Sequence, residues 1–407
     1  MKKAIVLGGT LPHVSLIEKL KQRGYFVILV DYLKHPFAAA YADAHIQTST
    51  LDLEAVLEIS KQEEVELVIS TCIDQANVTA CYVAERLELP HPYSYQTALN
   101  VTDKLKMKDI MVKNGIPTSR FMRIRQFSDI IGSDLNFPLI VKPVDCNSSK
   151  GVTKIDADDD CFENALNNAI SLSRSKEAII EEFVSGTEIG IDTFVKDGIA
   201  HVIMIKERRK VSKNNGGIQQ ILGCTWPLPG YELIERQAEE IANKIAKAFS
   251  LKNCPLMIQA ILVDGRISVI EFGARIGGGE SYRIIKMSTG FDYVEASIRS
   301  FLNEPIEMYY HKPEGFYADN FIYVNSCCFD HISYPSALID GGSIEYASSF
   351  KVKGVEIDAP ISSNNRVGVF VVKAPTPKEL VGKISIVLGS LEVYDTEGRK
   401  VMRRDIY

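Results

Sequence analysis

Phe137-Pro138-Leu139-Ile140-Val141-Lys142-Pro143 puts a lysine at the end of an apolar strand. Its stem can follow buried surface while its ammonium points into a cleft. Asp145 to Val152 comes next, small and polar, with Ser148, Ser149, Gly151 and Val152 at its centre and end. Such a loop can cover phosphates with amides and hydroxyls, and it reads equally well as an ordinary hairpin loop. Ile179-Ile180-Glu181-Glu182-Phe183-Val184 is a strand that stops before Ser185-Gly186. Where pairing stops, backbone groups from Glu182 to Val184 can bond the edge of an adenine base. Glu188, just beyond the turn, can accept both hydroxyls of a ribose.

A second group lies on one hairpin. Met257-Ile258-Gln259-Ala260 and Val269-Ile270-Glu271-Phe272 flank Asp264-Gly265, so pairing about that turn brings Gln259 and Glu271 to the same end of the ladder. An oxygen from each strand can hold a divalent ion, since magnesium accepts one or two carboxylates plus phosphate and water. Arg275 and Gly277-Gly278-Gly279 follow at once, suited to an anion. Asp103-Lys104 opens a helix, where the dipole opposes a lysine unless an anion is near; alone it reads as a surface lysine. Lys206-Glu207-Arg208-Arg209-Lys210 reads as a solvated strand end, with a triphosphate or carboxylate contact as the alternative. Leu7-Gly8-Gly9-Thr10 follows a strand but lacks the third glycine of a dinucleotide fingerprint, so a tight turn is favoured although Asp31 ends the next strand.

These segments need a large scaffold, and the chain supplies one. Its 407 residues give a prior of two to three domains, and 46% hydrophobic with 24% charged residues excludes global disorder. Net charge is −6 with no long basic block, which argues against nucleic acid as a partner. No apolar run approaches the length of a membrane span, and the run Ala4 to Leu7 is too short for a signal peptide. Eight cysteines without a CxxC pair suggest reduced thiols and a cytoplasmic location.

Up to Leu87, apolar runs at Lys3–Leu7, Phe26–Val30 and Glu66–Ser70 alternate with helical stripes at Pro12–Arg23, Leu51–Gln62 and Ala76–Leu87. That alternation predicts βαβ units and a parallel sheet. Asp74 falls in a loop between the last strand and helix. After Leu89-Pro90-His91-Pro92 the rhythm changes: a helix over Thr102–Asn114 with Thr102 as cap, one over Asp159–Leu172, an amphipathic one over Glu232–Phe249, and hairpins at Asp197-Gly198 and Asp264-Gly265. This predicts an α+β section with antiparallel sheets. From about residue 306 the tail reads as mostly short strands.

Taken in order, helix lysine, strand lysine, Gly/Ser loop, Glu-Glu-Phe-Val, later Glu and carboxylate hairpin with Arg and glycines, the chain resembles the ATP-grasp superfamily. Within it the chain is similar to the carboxylate–amine ligases related to carbamoyl-phosphate synthetase, biotin carboxylase and the L-amino-acid ligases. The resemblance implies a Rossmann-like domain over 1–98 and an ATP-grasp domain over 99–305, its lid at about 112–185. A small mostly-β part would cover 306–407. It implies ATP with magnesium, or manganese, as cofactors, small carboxylate and amine substrates, and allows a homodimer.

By position, Lys104 and Lys142 match the phosphate lysines, and Ser148, Ser149, Gly151 and Val152 the lid loop. Glu181, Glu182, Phe183 and Val184 match the adenine hinge and Glu188 the ribose ligand. Glu271 with Gln259 matches the metal site, and Arg275 the arginine that acts with Lys142 in catalysis. Asp74 is similar to a residue facing substrate. Gln259 and Gly273 depart from the usual acid and Asn, which weakens protein-held magnesium and leaves an ATP-binding homologue with little turnover as the alternative. Glu280 can replace the missing charge or bind a substrate amine. A dehydrogenase lacks its fingerprint here, and a biotin-type carboxylase lacks an evident attachment segment.

Overall fold

Lys3–Leu7, Phe26–Asp31, Ala44–Gln47 and Leu67–Ile69 form the expected parallel sheet, in the order Ala44–Gln47, Phe26–Asp31, Lys3–Leu7, Leu67–Ile69. These strands are short and nearly wholly apolar because helices cover both faces of a parallel sheet. The computed structural model describes residues 2–130, 133–146, 151–157, 160–211, 220–358 and 365–407. Strand order reverses between Lys3–Leu7 and Leu67–Ile69, so the turns after Leu7 and Ile69 flank the crevice where open α/β sheets bind ligands. The helix after that second turn is Asp74–Arg86. Asp74 therefore opens a helix rather than lying in a loop, and its carboxylate suits the positive end of the dipole.

Helix Lys104–Lys113 is capped by Asp103, whose side chain accepts from the amides of Leu105 and Lys106. Thr102 is not the cap, because a carboxylate one residue later bonds both amides. A small antiparallel sheet follows, in the order Phe121–Ile124, Ala178–Glu182, Leu139–Pro143, Thr153–Ile155. Helix Asp160–Leu172 covers it through Phe162, Leu166 and Ala169. Ser148 and Ser149 of the lid-loop expectation, like Asn214 to Gly217 and Asn364, lie outside the described residues.

The large sheet has eight strands in the order Arg266–Gly273, Cys254–Val263, Thr187–Lys196, Ile199–Lys210, Ile221–Trp226, Phe316–Tyr323, Arg366–Ala374, Tyr346–Ser349. Both predicted hairpins form. Asp197 and Gly198, like Asp264 and Gly265, take positive φ at the turn, as a two-residue connection between twisted strands requires. Among the described residues the tail is mostly strands, as expected, with two helices that its reading did not include. Three of its strands, Phe316–Tyr323, Arg366–Ala374 and Tyr346–Ser349, extend the large sheet, and Pro377–Ser390 is a helix, started by Thr376 accepting from the Glu379 amide and by Pro377 in the first turn. That helix buries Leu380, Ile384 and Val387 against Phe370 and Val372.

One apolar core runs from Ile5 and Val30 of the parallel sheet to Trp226, Tyr293 and Phe321. Arg23 adds ion pairs to Glu304 at 3.0 Å, and Lys19 one to Asp292 at 2.8 Å. The parallel sheet is thereby fixed against the large one, with its ligand-binding edge toward the strand Arg266–Gly273. Among the described residues no helix is long and apolar enough to cross a membrane.

Candidate active site

The hairpin about Asp264-Gly265 carries a correction that matters. Counted from the turn, Gln259 would face Ile270, and Glu271 would point to the opposite side of the sheet. A β-bulge between Gln259 and Ala260 admits Ile270 as an extra residue, so Gln259 stands directly opposite Glu271. Paired residues share a face, so the bulge puts the Gln259 and Glu271 side chains on the same face, and bulges near active sites commonly re-aim a side chain in this way. The row continues: Gln259 pairs with Gly190, and Gly190 with Lys206. A Cβ on Gly190 would lie 2.5 Å from Lys206 Cε, so the missing side chain is what lets the lysine stem cross the strand.

Lys104, Glu271, Arg275 and Asp74 line one cleft together with Thr102, Met107, Met257 and Phe272. Lys104 Nζ donates to the Cys146 carbonyl at 2.7 Å and lies 3.7 Å from Glu271 Oε2. Burial would push the Glu271 carboxyl up, but Lys104 and Lys142 outweigh it and keep it below the usual range. Glu271 is thus a carboxylate at neutral pH, available to a cation. Among the described residues no cluster of three His, Cys, Asp or Glu side chains suits a metal. One carboxylate and one amide oxygen nevertheless match a magnesium ion that keeps waters and phosphate in its remaining positions.

Arg275 is the most constrained group in the cleft. Its Nε and Nη2 meet Asp74 Oδ1 and Oδ2 at 2.8 and 2.9 Å, and its Nη1 donates to the Ile276 carbonyl at 3.0 Å. Burial opposes its charge, and the Asp74 carboxylate more than compensates, raising its pKa. Gly273 makes this clamp sterically feasible. A Cβ there would sit 2.6 Å from Asp74 Oδ1 and 3.1 Å from Arg275 Nε. The departure at Gly273 therefore has a structural counterpart: Asp74, arriving from the parallel sheet, occupies the space that a side chain would fill. The Tyr93 hydroxyl also donates to the Ala274 carbonyl at 2.9 Å and steadies the same segment.

The expected adenine hinge divides. Glu181 points inward: Oε1 lies 2.6 Å from Lys142 Nζ and Oε2 lies 3.0 Å from Lys108 Nζ. Burial would raise this carboxyl, yet the two lysines bring it down to about 2, and Lys142 in turn is raised. Glu182 turns outward, to Arg120 at 3.1 Å and Asn136 at 3.0 Å. The amides of Glu182 and Phe183 already serve the Arg120 and Pro138 carbonyls. Val184 follows outside the strand and offers its amide. Gly151, at φ 74°, leads into the strand Thr153–Ile155 through Val152. Lys154 lies 4.9 Å above the Phe183 ring.

The basic run is not a solvated strand end. Residues alternate along the strand, so Lys206, Arg208 and Lys210 share the cleft-side face. Arg208 and Lys210 hold the two oxygens of Glu188 at 2.7 and 2.8 Å. Lys206 is buried over the Trp226 ring, 2.7 Å from Asp192, and donates to Ser281, whose hydroxyl donates to the Gly278 carbonyl. Lys206 thus braces the glycine run from behind. Lys108 is the residue that motif reading missed, and the basic run is the one whose favoured reading it misplaced. The available signals were the four-residue step from Lys104 and the two-residue alternation from 206 to 210.

Glu280 does not reach the cleft. It is fully buried, with Arg283 Nε 2.8 Å from Oε2 and no partner for Oε1. Burial pushes its carboxyl up to about 7, with Asp319 adding to the rise and Arg283 opposing it. The folded state therefore holds a proton that the unfolded chain has released. This contribution is fully present below the ordinary glutamate range and is lost as pH rises through about 7. In Glu280→Gln the decline in stability from pH 5 to 8, roughly 2 to 3 kcal/mol at this shift, should flatten in denaturant titrations. An unchanged slope would remove Glu280 as its source.

Known proteins resemble the chain in sequence and in fold. Residues 135–282 match the family model described as an ATP-grasp domain. The L-arginine-specific L-amino acid ligase of Bacillus subtilis is 26% identical over 275 residues, a match covering 65% of this chain and 65% of that one. The alanine–anticapsin ligase of Bacillus subtilis (strain 168) is 25% identical over 400 residues, 90% of this chain and 81% of that one. Among solved structures, the L-amino acid ligase from Bacillus licheniformis superposes with a TM-score of 0.81 at 20% identity, covering 97% and 99% of the two chains.

Proposed function

We propose that this chain, a member of the ATP-grasp superfamily, is an ADP-forming carboxylate–amine ligase whose substrates are L-amino acids. The observation that carries the reading is the convergence of Lys104, Glu271, Arg275 and Asp74 on one cleft. The first step transfers the γ-phosphoryl group of ATP to a carboxylate oxygen of the acid, giving an acyl phosphate and ADP. In the second, the amine attacks the acyl carbon, the bond to the phosphate oxygen breaks, and the amine loses a proton. The amino-acid class comes from the named relatives.

No side chain needs to act as a nucleophile. Lys104 and Lys142 neutralise the transferred group, and Arg275, already oriented, stabilises the oxygens on which charge develops. Magnesium, held by Glu271 and Gln259, would supply charge neutralisation between the phosphates. Val184 receives the adenine edge. Each Glu188 oxygen retains a lone pair for ribose beside Arg208 and Lys210. A cytoplasmic enzyme working on small molecules, with no nucleic-acid or membrane partner, fits this reading, as does a homodimer.

The test is release of ADP and phosphate from Mg-ATP with pooled amino acids and small carboxylates, with Lys142→Ala as control. Substrate-stimulated ADP formation, absent from the control, is expected. Turnover equal to the control in every pool, despite ATP binding, would leave a nucleotide-binding protein without ligase activity.

A further inference from the structure

We infer that Lys108 is a positioning residue for nucleotide binding: it holds Glu181 in place and neutralised, so that Lys142 is free to leave that carboxylate for phosphate. The inference rests on the ATP-site reading above and concerns a side chain that does not line the cleft.

The two lysines on Glu181 are unequal. Lys108, 1% exposed, places its ammonium 2.7 Å from Thr118 Oγ1, 3.0 Å from Ser119 Oγ and 3.0 Å from Glu181 Oε2. That is one acceptor for each of its three donors. Those hydroxyls are themselves fixed, Thr118 donating to the Val269 carbonyl at 2.8 Å and Ser119 to Glu181 Oε2 at 3.0 Å. Lys142 is also buried, yet among the described residues its ammonium has one partner, Glu181 Oε1 at 2.6 Å. Lys108 is locked, whereas Lys142 keeps donors in reserve.

The charges explain why the second lysine is needed. A buried carboxylate with a single cation cannot release it without standing unpaired, which is strongly unfavourable. With Lys108 in place, Glu181 stays paired after Lys142 moves to a phosphate. Without Lys108, Lys142 is retained by Glu181 and the phosphate site loses a cation, although every cleft-lining residue is intact.

A pH signature follows from the same geometry. The charged groups facing Lys108 are Glu181 from Ala178–Glu182, Lys142 from Leu139–Pro143 and Glu271 from Arg266–Gly273, with the Phe121 ring 5.5 Å away. Burial, with repulsion from Lys142 and against the pull of Glu181, lowers Lys108 to about 8. As pH rises through that value Lys108 becomes neutral, Lys142 is held back and ATP binding weakens.

The experiment measures ATP affinity by calorimetry, without other substrates, across that pH for wild type, Lys108→Met and Lys108→Arg. Lys108→Met should bind ATP roughly 10- to 100-fold more weakly at neutral pH. Lys108→Arg, charged throughout, should keep neutral-pH affinity and lack the inflection near pH 8. A folded Lys108→Met protein with wild-type affinity overturns the inference, and so does a Lys108→Arg protein that keeps the inflection. Should Lys108→Met fail to fold, the Lys108→Arg profile decides. A wild type that does not bind ATP overturns the site reading itself, and the inference with it, before any variant is compared.

Discussion

Arg275→Ala is expected to lower kcat by roughly 100- to 1,000-fold while ATP affinity changes by no more than about threefold. The split follows from position. Arg275 lines the cleft just before the glycine run and makes no contact with the Lys142–Glu181 pair among the described residues, and its guanidinium is oriented by Asp74 before any ligand arrives. A preorganised cation aimed at developing charge acts on the transition state, so its loss appears in kcat rather than in nucleotide binding. Gly273 supplies a sharper test of the same contact. In Gly273→Asn the new side chain enters within 2.6 Å of Asp74 Oδ1, so it must displace Asp74 from Arg275. Its kcat should fall toward that of Arg275→Ala, and Asp74→Ala in the same background should recover part of it by removing the collision. A Gly273→Asn enzyme with wild-type kcat would show that the Asp74 clamp does not govern turnover.

The second expected result concerns the metal. Glu271→Gln should raise the magnesium concentration for half-maximal turnover by about 100-fold, because it removes the one carboxylate of the pair. Gln259→Glu should move it the other way, by roughly tenfold, since a second carboxylate opposite Glu271 adds charge to the same face. The paired register makes the opposite signs a geometric expectation rather than a general one. Initial rates measured against free magnesium at saturating ATP check both. If Gln259→Glu leaves the magnesium dependence unchanged, Gln259 does not share a metal with Glu271.

Much of the fold was legible because its signals are local. Apolar runs separated by helical stripes state a parallel sheet within about thirty residues of chain, and Asp-Gly turns state hairpins within four. The tail was less legible. Its strands Phe316–Tyr323 and Arg366–Ala374 are edge-less only because each pairs with a strand remote in sequence, and no short pattern encodes that pairing. Helix Pro377–Ser390 was signalled by Thr376, Pro377 and Glu379, a start motif that the surrounding glycines obscured.

The sequence by itself determined the chemistry available: which lysines, carboxylates and glycines exist, in what order, and at which strand and helix ends. That order, with backbone propensity and turn residues, was enough for the resemblance to the ATP-grasp superfamily and for the end of the hairpin where Gln259 and Glu271 meet. The tertiary structure decided which charges touch. A single bulge residue, Ile270, put Glu271 on the face of Gln259. Packing of the small sheet against helix Lys104–Lys113 turned Glu181 from a hinge residue into the anchor of two lysines. Docking of the parallel sheet joined Asp74 to Arg275 across 201 residues of chain. Spacing along the chain fixes neighbours within an element, but a Coulomb contact depends on distance in space. That distance is set by how separately folded elements pack.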